Sequence, residues 1–114
     1  MKKTIVWKKK DLKSLNKANT KIVSEDNWHS VFYHNTPVLS FNPVERKVKL
    51  QNGGFSTQTT KKRINQASEL FGLNVQVYQE RFVWYVNNKE TEFEDGIEIP
   101  VQYFDYSSIP EYVS

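Results

Sequence analysis

The spacing of apolar residues changes twice along the chain, and this change limits the folds that the chain can form. Residues 28–41 are rich in β-branched and aromatic residues, and apolar and polar residues alternate in residues 47–50 and again in the strands of 75–101, which is typical of half-buried β-strands. Between these segments the apolar residues recur at helical spacing instead: Ile64, Ala67, Leu70 and Phe71. The pattern predicts strands, then one helix, then strands again.

Turn-forming residues frame the predicted helix. Asn52-Gly53-Gly54 ends the preceding strand, Thr59 or Thr60 is the expected N-cap, and Gly72 stands where a left-handed C-cap is expected. The helix is therefore predicted from about Thr60 to Phe71. Trp28–Tyr33 and Val38–Phe41 are predicted to be extended, with Asn35-Thr36-Pro37 as a bulge or break between them, and are counted as one strand in the order below. The other strands are predicted at Lys47–Leu50, Val75–Gln79, Phe82–Val86 and Ile97–Val101.

These elements predict an α+β fold, a mainly antiparallel sheet with one helix packed on it, in the order β-β-α-β-β-β. The 114 residues fit one domain with a modest core. We expect a basic N-terminal segment at 1–27 with a short strand near 4–8, a short helix near 10–17 and a loop at 24–27. An α+β core follows at 28–102, and a partly ordered acidic aromatic tail at 103–114. The expected core residues are Ile64, Leu70, Phe71, Phe82 and Trp84.

Charge divides unevenly along the chain. Residues 1–63 carry 14 lysines and arginines against four acids, whereas residues 64–114 carry two against nine, for a net charge of +3. Such asymmetry often accompanies a surface that binds nucleic acid or another anion. The alternative is that the two halves neutralise each other across one domain.

Several classes of protein are disfavoured by composition. No apolar stretch approaches the roughly 18 residues that a membrane-spanning helix requires, and the N-terminus lacks the apolar run of a signal peptide. The chain has no cysteine, so it has no disulfide or thiolate site. We therefore expect a soluble protein of a reducing cytoplasm that uses no cofactor and no membrane.

The segment 52–67, NGGFSTQTTKKRINQA, suggests an anion site. The positive end of a helix dipole usually attracts acids, yet this helix starts with Lys61, Lys62 and Arg63 and no acid. A bound phosphate would resolve this conflict, since Gly53 and Gly54 allow close backbone approach. The hydroxyls of Thr59 and Thr60 would donate hydrogen bonds.

The alternative interpretation of this segment is a turn with no ligand. The Walker spacing and the dinucleotide fingerprint are both absent, so it is not a standard nucleotide-binding loop. It is otherwise a simple turn, with basic residues that face solvent or pair with the acidic half of the chain. If the anion site exists, Phe55 would stack on a base or sugar, and Lys47 and Lys49 would add phosphate contacts from the wet face of their strand, opposite Val48 and Leu50.

Three stretches resemble a family of small tailed-phage proteins over roughly residues 31–100: Tyr33-His34-Asn35-Thr36-Pro37-Val38, the 52–67 block, and Val77-Tyr78-Gln79 with Phe82-Val83-Trp84-Tyr85-Val86. The family block reads Gly-Gly-aromatic-x-Thr-x-Thr-Thr-Lys-x-Arg-x-Asn, and Phe55 stands where tryptophan is the family's usual residue. The resemblance implies a virus-encoded protein of a host bacterial cytoplasm. It carries no function.

Catalytic and metal chemistry find little support. His29 and His34, the only histidines, are five residues apart on a strand and face opposite sides, with no ligand spacing around them. Ser30, His34 and Asp26 lack a nucleophile elbow. Tyr78 and Tyr85 are better candidates for exposed stacking than Phe82 and Trp84. The carboxylates fit the solvated face of a strand better than an acid–base site: Glu92, Glu94, Asp95 and Glu98.

The favoured hypothesis is a non-enzymatic phage accessory protein that binds nucleic acid or a phosphorylated nucleotide, without base specificity, through the Gly53–Arg63 segment. The alternative is an inhibitor of a host defence or nucleic-acid enzyme. In that case the acidic 92–98 cluster and the tail would mimic nucleic acid towards a host protein.

Overall fold

A computed structural model describes residues 4–13, 15–105, 107 and 109 of the chain. A 3-10 helix (Lys9–Leu12) follows the first strand, and the helix α1 (Gln58–Leu70) follows the fifth. The described strands are β1 (Thr4–Val6), β2 (Thr20–Glu25), β3 (Trp28–Tyr33), β4 (Thr36–Asn42), β5 (Lys47–Leu50), β6 (Val77–Glu80), β7 (Val83–Val86), β8 (Asn88–Glu92) and β9 (Ile97–Pro100).

The strands form two antiparallel sheets. The larger sheet has the order β1-β2-β3-β4-β5-β9, so the first five strands are a meander and β9 joins its edge after the helix. Strands β6, β7 and β8 form the smaller sheet. The predicted α+β class with a mainly antiparallel sheet and one packed helix is confirmed in the part of the chain that the structure describes. The expected single sheet is divided in two, because among the described residues β6–β8 pair only with each other.

The N-terminal segment is part of the larger sheet. The predicted strand near residue 4 is present as β1, but the expected helix at 10–17 is only the 3-10 turn Lys9–Leu12. Strand β2 was missed because two of the residues on its buried face, Thr20 and Ser24, are polar. The predicted loop is shorter than expected, since residues 26 and 27 alone connect β2 to β3. Trp7 and Leu12 join the same core as the central strands.

The helix starts earlier than predicted. Thr57, not Thr59 or Thr60, is the N-cap, because its side chain accepts the backbone N–H of Thr60 at 3.2 Å. Gly72 follows the helix with φ +64°, as the predicted left-handed C-cap requires. Within the described residues, no helix has the length and apolar character to cross a membrane.

The core lies between α1 and the larger sheet. Ile64, Ala67 and Phe71 on the helix are buried, Leu70 is half-buried, and the rings of Phe71 and Phe41 lie 5.2 Å apart. The inward orientation of alternate strand residues is confirmed at β5, where Val48 and Leu50 are fully buried. The core is therefore built from the helical stripe and the alternating faces that the sequence indicates.

Phe82 corrects one core prediction. Trp84 is 6% exposed, as expected, but Phe82 is 95% exposed. The pairing of Glu80 with Val83 makes Arg81-Phe82 a two-residue hairpin turn, in which both residues have positive φ, +52° and +69°. Asn-Gly is the usual sequence of such turns, and a positive φ is strained for a bulky residue. Phe82 therefore lies outside the strand and outside the core.

The part of the C-terminal tail that the structure describes packs against the core. Phe104 packs edge-on against Phe41 at 5.0 Å, and the backbone N–H of Asp105 donates to Phe71 O at 2.7 Å. A Cβ on Gly72 would lie 2.8 Å from the Asp105 Cβ, so this glycine permits the close approach. The described residues of the tail are thus part of the fold, and the rest of the predicted partly ordered tail lies outside the described residues.

Candidate ligand site

A pocket of about 470 Å³ lies between the β3–β4 turn and the segment that leads into α1. The turn side is formed by Tyr33, His34, Thr36 and Val38. The other side is formed by Asn52, Phe55, Thr57, Thr59 and Thr60. This cavity, called the loop pocket below, has the volume typical of small-molecule sites. Its floor is the buried Val38, and Phe55, 66% exposed, stands at its edge.

The loop of residues 51–57, called the Gly-Gly loop below, is held in place by Asn52. The side-chain oxygen of Asn52 accepts the Gly54 N–H at 2.9 Å, and its carbonyl accepts the Phe55 N–H at 2.9 Å. Gly53 has φ +64°, and a Cβ there would lie 2.8 Å from Thr36 Oγ1. The loop therefore approaches β4 more closely than another residue would permit. Phe55 points away from the core as a result.

The threonines at the helix start are bonded among themselves. Besides capping the helix, Thr57 Oγ1 lies 2.9 Å from Thr60 Oγ1, and Thr60 is buried. Thr59 is exposed and lines the loop pocket. Of the two hydroxyls predicted to contact phosphate, Thr59 therefore has the freer access to a ligand.

The three basic residues of the first helical turns point in different directions. Lys61 Nζ donates to Gln79 Oε1 of β6 at 3.4 Å, and Lys62 is exposed. Arg63 is 6% exposed, its Nε donates to Thr20 Oγ1 at 3.2 Å, and its guanidinium lies 5.1 Å from the Tyr33 ring centre. Successive side chains on a helix diverge by about 100°. A run of three cations therefore does not converge on one phosphate, and Arg63 is part of the interior.

Lys47 and Lys49 lie away from the loop pocket, beside acidic residues. Lys47 Nζ lies 3.1 Å from Glu45 and 3.4 Å from Glu98. The hydrogen bond to Glu45 raises the pKa of Lys47. Lys49 pairs with Glu98 in the β5–β9 register. At this edge the basic and acidic halves of the chain neutralise each other, as the alternative reading of the charge division expects.

A second, more open cavity lies beside the loop pocket. This groove of about 370 Å³, called the lysine groove below, is lined by Lys9, Asn19, Thr20, Lys21, His34 and Asn35. His34 lines both cavities. Sequence reasoning missed the two lysines because Lys9 and Lys21 are far apart in the chain and come together only through the missed strand β2.

His29 belongs to a buried hydrogen-bonded chain. Trp7 Nε1 donates to Ser24 Oγ at 2.7 Å, and Ser24 Oγ lies 2.6 Å from His29 Nδ1. Because Ser24 accepts from the indole, its own hydroxyl hydrogen is available to Nδ1. Burial lowers the pKa of His29 from 6.5 to about 4, so the ring is neutral at pH 7. Its role is structural.

Stability is expected to fall when the pH drops from about 6.5 to about 4. Over this range the unfolded chain protonates His29 while the folded protein does not, so the stabilisation present above pH 6.5 is lost, by up to about 3 kcal/mol. Urea unfolding across this range would measure the loss. The change of the free energy of unfolding with pH should be smaller in His29→Gln than in the wild type. If the free energy of unfolding changes with pH equally in the wild type and in His29→Gln, the expectation is contradicted.

The other candidate groups are dispersed. Asp26 lies in the β2–β3 turn and His34 at the opposite end of β3, while Ser30 Oγ is bonded to Ser40 Oγ at 2.9 Å, so the three do not form a triad. Asp95 accepts the Asn52 N–H at 2.9 Å, and Glu98 pairs with Lys47. Among the described residues, no group of three histidines or acids is arranged to hold a metal ion.

The tyrosines proposed for stacking lie on the smaller sheet. Tyr78 and Tyr85 face each other across β6 and β7 with ring centres 5.7 Å apart, and both are half-buried. They are more exposed than Trp84, as the period-two spacing indicates, but their rings already contact each other. Phe55 is thus more accessible to a ligand than either tyrosine.

Comparison with known proteins relates the chain to a phage family. A family model described as Kyanoviridae Gp96 protein matches residues 1–100. No curated protein and no solved structure gives a significant match. The match includes the β3–β4 turn, the Gly-Gly loop and all the elements that surround the two cavities.

Proposed function

We propose that this chain, which belongs to the Kyanoviridae Gp96 protein family, is a non-enzymatic phage protein that binds nucleic acid or a phosphorylated nucleotide in the host cytoplasm. The observation that carries the proposal is the loop pocket, with Phe55 exposed at its edge. The proposal keeps the site at the Gly-Gly loop that the sequence indicates, but changes the residues that contact the ligand.

The loop pocket suits a flat ring. Its floor is apolar at Val38, one wall is the Tyr33 ring, and the Phe55 ring is accessible to solvent. Bases stack on exposed aromatic side chains with little dependence on sequence. The hydroxyl of Thr59 and the ring nitrogens of His34 supply polar groups at the edge, where they would hydrogen-bond to the edge of a base.

The surrounding charge suits a phosphate-bearing ligand. Arg63 lies behind the pocket wall, with its guanidinium 5.1 Å from the centre of the Tyr33 ring. The lysine groove adjoins the pocket at His34. Cations beside an aromatic surface are the usual composition of sites for single-stranded nucleic acid.

The decisive test is a comparison of two exposed phenylalanines. Phe55→Ala should weaken binding of a fluorescein-labelled single-stranded oligonucleotide about tenfold, because one stacking contact is lost. Phe82→Ala removes an equally large exposed ring that does not line the pocket, and it should leave the affinity unchanged. Fluorescence anisotropy would measure both, with duplex DNA and a mononucleotide as competitors. Equal effects of the two variants, or a wild type that binds none of these ligands, would refute the proposal.

A second candidate function is inhibition of a host enzyme by direct contact. Phe82 is 95% exposed in a strained turn, and such strain often marks a functional position. Strand β8 beside it exposes Glu90 and Glu92. This function becomes the preferred one if the wild type binds no nucleotide. Crosslinking from a benzophenone residue at position 82 in infected cells, with position 55 as control, would then test it.

A further inference from the structure

The loop pocket and the lysine groove meet at one residue. His34 and Asn35 form the two-residue turn between β3 and β4, and His34 has φ +56°. The His34 N–H donates to Asn19 O at 2.7 Å, which ties the turn to the start of β2. The imidazole lies 4.4 Å from the Tyr33 ring and lines both cavities. The loop pocket and the lysine groove therefore adjoin at His34.

The lysine groove has the chemistry of an anion site. Lys9 comes from the 3-10 helix and Lys21 from β2, and both are exposed; Lys21 Nζ lies 5.5 Å from the centre of the Phe32 ring. The amides of Asn19 and Asn35 add hydrogen-bond donors, and none of the described residues that line the groove is a carboxylate. Ammonium and amide groups are common partners of phosphate oxygens.

The two cavities differ in kind. The loop pocket has an apolar floor and an aromatic edge, whereas the lysine groove is polar and cationic. A ligand that uses both must carry a flat, weakly polar part joined to an anionic part.

We infer that the ligand is a nucleoside phosphate, with its base against Phe55 in the loop pocket and its phosphate between Lys9 and Lys21 in the lysine groove. This inference rests on the proposed function and adds the cations that receive the phosphate. The lysines of the helix start, Lys61 and Lys62, do not line either cavity and have no part in it.

Two matched double variants test the inference. Lys9→Gln with Lys21→Gln, and Lys61→Gln with Lys62→Gln, each remove two positive charges, so general electrostatic attraction changes equally. The groove variant should weaken binding of a short oligothymidylate by about tenfold or more at low salt. It should also reduce the slope of log affinity against log salt by about 0.7 for each lost phosphate contact. The helix variant should keep the wild-type slope. An equal or larger loss in the helix variant would overturn the inference.

Adenosine and AMP separate this inference from the proposed function. Adenosine has no phosphate, so the groove variant should bind adenosine as the wild type does and bind AMP more weakly. Phe55→Ala should weaken the binding of both adenosine and AMP. If Phe55→Ala weakens AMP binding and the groove variant does not, the inference is refuted while the proposed function stands. Failure of the wild type to bind adenosine, AMP and oligothymidylate would refute the proposed function.

The same titrations identify the source of the nucleoside phosphate. A free mononucleotide and a nucleotide within a single strand both fit the two cavities. If AMP binds as tightly as oligothymidylate, the ligand is a free mononucleotide; if the oligonucleotide binds much more tightly, it is a single strand that continues beyond the groove. In either case the groove variant should lose affinity, and retention of wild-type affinity for both would overturn the inference. Circular dichroism melting of each variant checks the expectation that these exposed lysines do not contribute to folding.

Discussion

Trp84→Ala is expected to destabilise the protein by roughly 3–5 kcal/mol, whereas Phe82→Ala is expected to leave the free energy of unfolding almost unchanged. Trp84 is 6% exposed and packs edge-on against Phe93 with ring centres 5.3 Å apart. Its truncation would leave a cavity beneath β7. Phe82, two residues earlier, is 95% exposed and leaves no cavity.

Urea unfolding of the two variants would measure this difference. A loss of roughly 3–5 kcal/mol is a large part of the total stability of a domain of this size. The Trp84→Ala variant should therefore be largely unfolded at the melting temperature of the wild type. Similar destabilisation by both variants would mean that Phe82 packs against the fold in solution. The turn would then have a different conformation.

Asn65→Leu is expected to cost roughly 2–6 kcal/mol. Asn65 joins α1 to β6 by two hydrogen bonds, from its Nδ2 to Val77 O at 2.9 Å and from Val77 N to its Oδ1 at 2.8 Å. Val77 is buried, so leucine would leave both its N–H and its carbonyl without these partners. Each unsatisfied buried group costs about 1–3 kcal/mol.

Glu69→Leu provides the matched control for Asn65→Leu. Glu69 is exposed on the same helix, so the same new side chain should change stability by less than about 0.5 kcal/mol. Hydrogen exchange should also show faster exchange across β6 in Asn65→Leu than in the control. Equal stability of the two variants would show that the Asn65 contacts do not hold β6 against the helix.

Elements whose buried face is apolar could be predicted from the sequence. Strand β5 places Val48 and Leu50 in the core, and α1 buries Ile64 and Phe71, because a period of two or of 3.6 directs those side chains to one side. Strand β2 has the same alternation, but threonine and serine occupy two of its buried positions. Its polar side chains are satisfied by tertiary partners, which local sequence does not show: Thr20 by Arg63 and Ser24 by Trp7 and His29.

The site predicted at the Gly-Gly loop stays a prediction, and the structure places beside that loop residues that the sequence did not indicate. Asn52, Phe55 and the threonines of the helix start form one wall of the pocket, whereas Gly53 and Gly54 shape the loop without lining the cavity. A glycine turn before a helix can be recognised locally. The opposite wall is the β3–β4 turn, which β-sheet pairing brings to the loop. The ligand-binding roles of Gly53, Gly54, Phe55, Thr59 and Thr60 stay predictions.

The sequence by itself determined the α+β class, the helix and the strands with apolar buried faces, since these follow from the periodicity of neighbouring residues. Only the tertiary structure decided where each charged side chain lies and which group it contacts. It buried Arg63 between Thr20 and Tyr33, paired Lys47 with Glu45 and Glu98, and brought Lys9 beside Lys21. The physical reason is that a charged side chain carries no periodic signal of its own. Its partner is set by which strands pair, and strand pairing depends on residues far apart in the chain.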